Sequence, residues 1–153
     1  MDSSIDEADL RILREVQRDS SRPVTALAEA VGLSHAPCWR RLQRLRAEGF
    51  INRERAELDP LRCGFGVEMF VFVRLNAHGR GRIAEFREEI TSIPQVIAAY
   101  VLLGNIDAML HVVARDMRDY ERFYMEHLAQ SQSLSEINSM TVLSHLKKGD
   151  LPV

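Results

Sequence analysis

Apolar side chains recur every three or four positions near the start of the chain, at Leu10, Leu13 and Val16, with charged residues between them. That is the period of an amphipathic helix. Ser4-x-x-Glu7 reads as the capping box that opens it, and the pattern runs to Arg18. Pro23 opens a second, shorter helix through VTALAEAV, with Leu27 and Val31 turned inward, and Gly32 ends it. Ser34 suits the N-cap of a third helix, which runs to about Ala47 and stops at Gly49. Three short helices, the last two joined by a tight glycine-containing turn, predict a helix-turn-helix unit.

After Gly49 the period shortens. FINRERAEL alternates and predicts a strand, and Asp59-Pro60 with Gly64 and Gly66 marks a hinge. Beyond it come VEMFVFVRLN (strand), RIAEFREEITSI (helix), VIAAYVLL (strand), the turn GNID, AMLHVVAR (strand), MRDYERFYMEHLAQS (helix) and EINSMTVLSHL (strand). The expected fold class is α+β: an N-terminal winged helix-turn-helix of three helices, then a ferredoxin-like β-α-β-β-α-β domain. The expected boundaries are 1–50 for the first domain, with the helix-turn-helix at about 24–43, 51–66 for the strand and hinge, and 67–153 for the second domain. Two helices cover one face of such a sheet only. Phe70, Phe72 and Val112 are expected on the other, an apolar surface that a second copy would cover.

The third helix has two faces. Cys38, Leu42 and Leu45 form one narrow apolar stripe, while Ala36, Trp39, Arg40, Gln43 and Arg44 occupy the opposite arc. The stripe suits packing on the first two helices. The arc suits a DNA major groove, where Arg bonds bidentately to guanine and Gln to adenine. Ser34 and His35, at the start of the helix, belong to the same surface, and Arg41 at the flank, with Arg46, Arg53 and Arg55, suits phosphates. Charge supports this division. The chain of 153 residues has a net charge of −2, yet residues 35–55 hold six arginines against Glu48 and Glu54. All the excess positive charge therefore lies in one window, the footprint expected for double-stranded DNA.

Other chemistry is not visible. The five histidines have no HxxxH or HExxH spacing, Cys38 and Cys63 have no metal-ligand or disulfide pattern, and no nucleophile elbow is present, so the expectation is neither enzyme nor metal site and no bound cofactor. HGRGR at 78–82 lacks the Lys and Ser/Thr of a phosphate loop and reads as a strand-to-helix connection, and Tyr120, Phe123 and Tyr124 read as packing. With no apolar run of membrane-spanning length and an acidic start, the protein is expected to be cytoplasmic with no membrane partner.

LAEAVGLSHAPCWRRLQRLRAEGFI, followed by a strand, LDP and a β-α-β-β-α-β pattern with GNID between its middle strands, resembles the leucine-responsive/asparagine-regulator (Lrp/AsnC, feast/famine) family of transcription regulators over essentially the whole chain. PCWRRLQRL, MRDYERFY and DLPV are most similar to its cysteine-responsive branch. The resemblance implies a second domain that dimerises and senses an effector, hinge strands that pair between subunits, and homodimers that assemble to octamers. It also implies a small amino acid bound at the turn matching GNID. On that basis Tyr100, Gly104, Asn105, Ile106 and Asp107 are the expected effector-binding residues, with Asp107 accepting from the ammonium and backbone N–H groups around Gly104 and Asn105 donating to the carboxylate. Asn105 stands where Asp or Glu is common and Ala108 where Tyr is common, so the resemblance leaves the effector's identity open. An architectural DNA-binding protein, whose second domain only oligomerises, is the alternative.

Overall fold

The computed structural model describes residues 5–76, 81–147 and 149–153. The chain divides into two compact units: residues up to Glu57 together with those from Lys147 onward, and Leu58–Leu146.

The first unit holds α1 (Glu7–Arg18), α2 (Val24–Ala30) and α3 (His35–Ala47), the three helices expected from the periodicity. Their shared core is Ile12, Leu13, Leu27, Ala28 and Val31 around Cys38, Leu42 and Leu45. Ser4, expected to open the capping box of α1, lies outside the described residues. Asp6 is the N-cap: its carboxylate accepts from the Asp9 N–H at 2.9 Å, and the Asp9 carboxylate accepts from the Asp6 N–H at 3.1 Å. Carboxylates fill both positions of the motif, a variant that favours the positive end of the helix dipole. Gly32 and Gly49, with φ of 70° and 80°, end α2 and α3 in the left-handed region that glycine enters at no steric cost.

Residues 50–58 form no strand among the described residues of the single chain, because a strand needs a neighbour to accept its hydrogen bonds and the neighbour implied by the resemblance belongs to a second subunit. Leu151 and Val153 lie against α1. The Gln17 side-chain amide pairs with Leu151 in both directions, at 2.9 Å and 3.2 Å, and Arg14 Nε donates to the Val153 carbonyl at 2.6 Å. Val153 packs on the core of the three helices.

The second unit contains β1 (Val67–Leu75), α4 (Gly81–Thr91), β2 (Val96–Val101), β3 (Ala108–Ala114), α5 (Met117–Phe123) continued by a π-helical turn (Tyr124–Leu128), and β4 (Leu134–Thr141). The strands form one antiparallel sheet in the order β2-β3-β1-β4, the ferredoxin-like arrangement. Of HGRGR, residues 78–80 lie outside the described residues, and α4 starts at Gly81. Met69, Val71 and Val73 of β1 and Leu110 and Val112 of β3 face Phe86 and Ile90 of α4 and Tyr120 and Phe123 of α5. The register pairs Met69 with Val112, so Val112 is fully buried on the helix side and does not belong to the open face. Phe70 and Phe72, paired with His111 and Met109, do lie on the open face.

At the head of that face Glu68 receives two imidazoles, His111 Nε2 at 2.5 Å and His145 Nε2 at 2.8 Å, and the Phe70 ring packs on His111 at a tilt of 42°, with 4.8 Å between centroids. Burial pushes the Glu68 carboxyl upward, but the hydrogen bonds from His145 and His111 outweigh it and hold the group below its usual value of 4.5. A carboxyl depressed on folding contributes stability that is complete above its unfolded pKa and is lost as pH falls through its folded one. Glu68→Gln is therefore expected to lower the urea midpoint at neutral pH and to flatten its decline between about pH 5 and pH 3. Equal acid sensitivity in the two proteins would remove Glu68 from the acid-labile set.

Candidate nucleic-acid interface

Helix α3 is presented by its turn. Leu33 N–H reaches back to the Ala28 carbonyl at 2.9 Å, reversing the chain after α2, and Ser34 takes the extended N-cap conformation without a side-chain capping bond. Pro37 sits in the first turn, where a missing N–H has no intrahelical acceptor to lose. Cys38, Leu42 and Leu45 are buried as the wheel predicts, and burial pushes the Cys38 thiol upward, which leaves it an inert core group. Ser34, His35, Ala36, Trp39 and Arg40 are exposed, Trp39 to 49%, and Gln43 is half-buried. An indole half in solvent on a helix whose core stripe is already filled is a surface available to a partner.

The arginines divide into two groups. Arg41 Nη1 donates to both Asp6 (2.7 Å) and Asp9 (2.9 Å), and Arg44 Nη2 donates to the other Asp9 oxygen. Asp9, whose side chain is 1% exposed, thus accepts from two guanidiniums and one backbone N–H. A carboxylate can be buried on those terms and on few others. The Asp9 N–H at the cap, followed by Arg41, holds the Asp6 carboxyl below its ordinary value, and Asp9 and Asp6 raise the Arg41 guanidinium. Arg46 is paired with Glu54 at 2.7 Å. Arg40, Arg53 and Arg55 are exposed and have no ion pair among the described residues.

Arg44 is therefore not free on the arc opposite the core stripe; it is bound to α1. The sequence does carry a signal for this: Asp6-x-x-Asp9 and Arg41-x-x-Arg44 have the same i,i+3 spacing, and each pair lies on one side of its helix.

In the second unit the turn after β2 is closed by Leu102 N–H on the Asp107 carbonyl at 2.8 Å. Arg74 Nε and Nη2 donate to the Asn105 carbonyl at 3.1 Å and 2.7 Å, and Asp107 Oδ2 accepts the Leu75 N–H at 2.8 Å. Asp107 thus braces the turn against the end of β1, a role its sequence position did not reveal, while its Oδ1 has no protein partner among the described residues. The same holds for the backbone N–H groups of residues 103–106. Gly104 and Asn105 are exposed, Ile106 and Asp107 are half-buried, and Tyr100 stands on edge strand β2, opposite Met109. The expected effector residues are brought to one end of the sheet. The two cysteines are free thiols, and among the described residues no cluster of His, Cys, Asp or Glu could hold a metal.

These two surfaces define a class: a helix-turn-helix unit followed by a ferredoxin-like ligand-binding unit. The models of the AsnC-type helix-turn-helix domain and the Lrp/AsnC ligand binding domain match residues 5–46 and 68–152. The chain belongs to the Lrp/AsnC family and is a DNA-binding transcription regulator, not an enzyme. It is 34% identical to the HTH-type transcriptional regulator AldR of Mycolicibacterium smegmatis over 94% of this chain and 84% of that one. It is 32% identical to the DNA-binding transcriptional activator DecR of Escherichia coli over 94% of each. Among solved structures, an AsnC family transcriptional regulator from Agrobacterium tumefaciens superposes with a TM-score of 0.90 at 35% identity, covering 97% of both chains. A transcriptional regulator of Neisseria meningitidis in complex with L-Met superposes with a TM-score of 0.91 at 26% identity, covering 95% of this chain and 94% of that one.

Paired guanidiniums displace few counterions from DNA, so the salt dependence of duplex binding is expected to be carried by the unpaired ones. Arg40→Ala, Arg53→Ala and Arg55→Ala should each reduce the slope of log K against log salt by about 0.9 per subunit bound, and Arg46→Ala by distinctly less. Fluorescence anisotropy across a salt series measures this. A loss for Arg46→Ala as large as for Arg40→Ala would contradict the division.

Proposed function

We propose that the protein is an amino-acid-responsive regulator that reads operator DNA with α3 as a homodimer and changes that activity when a small amino acid binds at the turn 104–107. The observation that carries the effector assignment is the turn itself. A half-buried carboxylate, Asp107, with one oxygen fixed by β1 and the other unpartnered, lies beside a run of backbone N–H groups without protein acceptors. An ammonium needs the first and an α-carboxylate needs the second. The Neisseria meningitidis regulator bound to L-Met supports the same class of ligand.

In this reading Ser34, His35, Trp39, Arg40 and Gln43 meet the major groove, and Arg41 and Arg44 stand at its margin. Tyr100, Gly104, Asn105, Ile106 and Asp107 contact the effector. Dimerisation covers the open sheet face around Phe70 and Phe72, and dimers assemble further, to octamers. Two recognition helices about 34 Å apart reach successive major grooves, which one subunit cannot do. Among the described residues no helix is long and apolar enough to cross a membrane, and the work of a DNA-reading regulator places it in the cytoplasm.

Calorimetry with a panel of free amino acids that includes L-cysteine and L-methionine tests the effector. One member of the panel should bind, and Asp107→Asn, which keeps an acceptor for the Leu75 N–H but loses the charge, should weaken it at least about tenfold. No heat with any amino acid would favour an architectural protein whose second unit only assembles. Light scattering should give a mass of at least twice 17.5 kDa; a 17.5 kDa species that still binds duplex at full affinity would overturn the dimer.

A further inference from the structure

We propose that Asp9 determines DNA-sequence specificity by masking the charge of Arg41 and Arg44, so that α3 is held against non-specific phosphate binding. The proposal rests on α3 being the DNA-reading helix. Two guanidiniums face two carboxylates in the cluster of Arg41, Arg44, Asp6 and Asp9, which makes it neutral. Its members nevertheless sit beside the reading face in sequence, Arg41 next to Arg40 and Arg44 next to Gln43. Both arginine side chains keep contact with solvent, at 33% and 40% exposure, so neither is a core residue that happens to be charged.

The structure holds Arg44 there against an opposing cost. Its Nε is buried and has no hydrogen-bond partner, a loss the Asp9 contact must outweigh. A solvated Arg44 would satisfy that nitrogen with water. Its fixed position instead follows from Asp9, which takes Arg44 on one oxygen and Arg41 on the other.

Non-specific affinity grows with the number of unpaired cations that can displace counterions, and it is the competitor of operator binding at every other site. Arginines held by carboxylates add geometry to the interface without adding to that background. Asp9 acts through Arg41 and Arg44 and need not touch DNA itself; it is a positioning residue.

Asp9→Asn keeps the size of the side chain and an acceptor for the Asp6 N–H but leaves two guanidiniums facing one carboxylate. The probes are the tightest duplex that the parent selects from a random pool and a scrambled duplex of the same composition, each titrated across a salt series by anisotropy. Asp9→Asn is expected to steepen the salt slope on scrambled DNA by about 0.9 per subunit bound. The ratio of selected to scrambled affinity should fall about tenfold. Adding Arg41→Gln to Asp9→Asn should return the slope to that of the parent, which a merely structural role of Asp9 would not produce. A slope that does not change, or affinities for both duplexes that fall together, overturns the masking while leaving α3 as the reading helix. A parent that binds neither duplex overturns both. If Asp9→Asn does not fold, Asp6→Asn decides, since Asn caps a helix as well as Asp: the same steepening supports the proposal and an unchanged slope overturns it.

Discussion

Everything the first unit presents to a partner depends on how α3 is held against α1, and the Asp9 carboxylate fixes that. The apolar stripe of Cys38, Leu42 and Leu45 decides which face of α3 turns inward. Apolar contact is non-directional, however, and leaves some rotation about the helix axis open. The guanidinium forks of Arg41 and Arg44 are directional, and their common acceptor is rooted in the first turn of α1 by the Asp6 capping box. Packing and ion pairing act together: one chooses the face, the other sets the angle at which Trp39, Arg40 and Gln43 are displayed.

The same device recurs in the second unit. Asp107 accepts the Leu75 N–H and its own N–H reaches the Val73 carbonyl at 3.1 Å, so the turn after β2 is tied to the end of β1. Arg74 adds two bonds to the Asn105 carbonyl from the same strand. A turn braced in this way keeps its remaining N–H groups oriented without a bound ligand, and such preorganisation lowers the ordering cost of binding. At both surfaces, a carboxylate tied to a neighbouring helix or strand positions groups that then face outward.

The elements with a long, single period were legible in the sequence: α2 and α3 begin and end within a few residues of the positions that Pro23, Gly32, Ser34 and Gly49 imply, and α1 ends at Arg18 as its period implies. The order β-α-β-β-α-β was legible too. Strand parity was not, because AMLHVVA is apolar at nearly every position and gives no alternation to say which side of β3 Val112 takes. The strand expected at 50–58 is absent from the single chain for a different reason, since its alternation is real but pairing is a property of two segments and the expected partner lies in a second subunit. The attachment of Leu151 and Val153 to α1 spans more than 130 positions, and no local pattern encodes it. In the candidate interface the arc of α3 was readable from the wheel, whereas the pairing of its arginines required matching charge spacings on two helices.

Asp9 and Arg44 meet across the α1–α3 contact, and their energetic coupling decides how α3 is oriented. A double-mutant cycle with Asp9→Asn and Arg44→Gln, read by equilibrium urea unfolding, measures that coupling directly. A coupling free energy of at least about 1 kcal/mol is expected, with the second substitution costing less once the first is made. Strictly additive losses would mean that the carboxylate and the guanidinium are merely neighbours, and that packing alone orients the recognition helix.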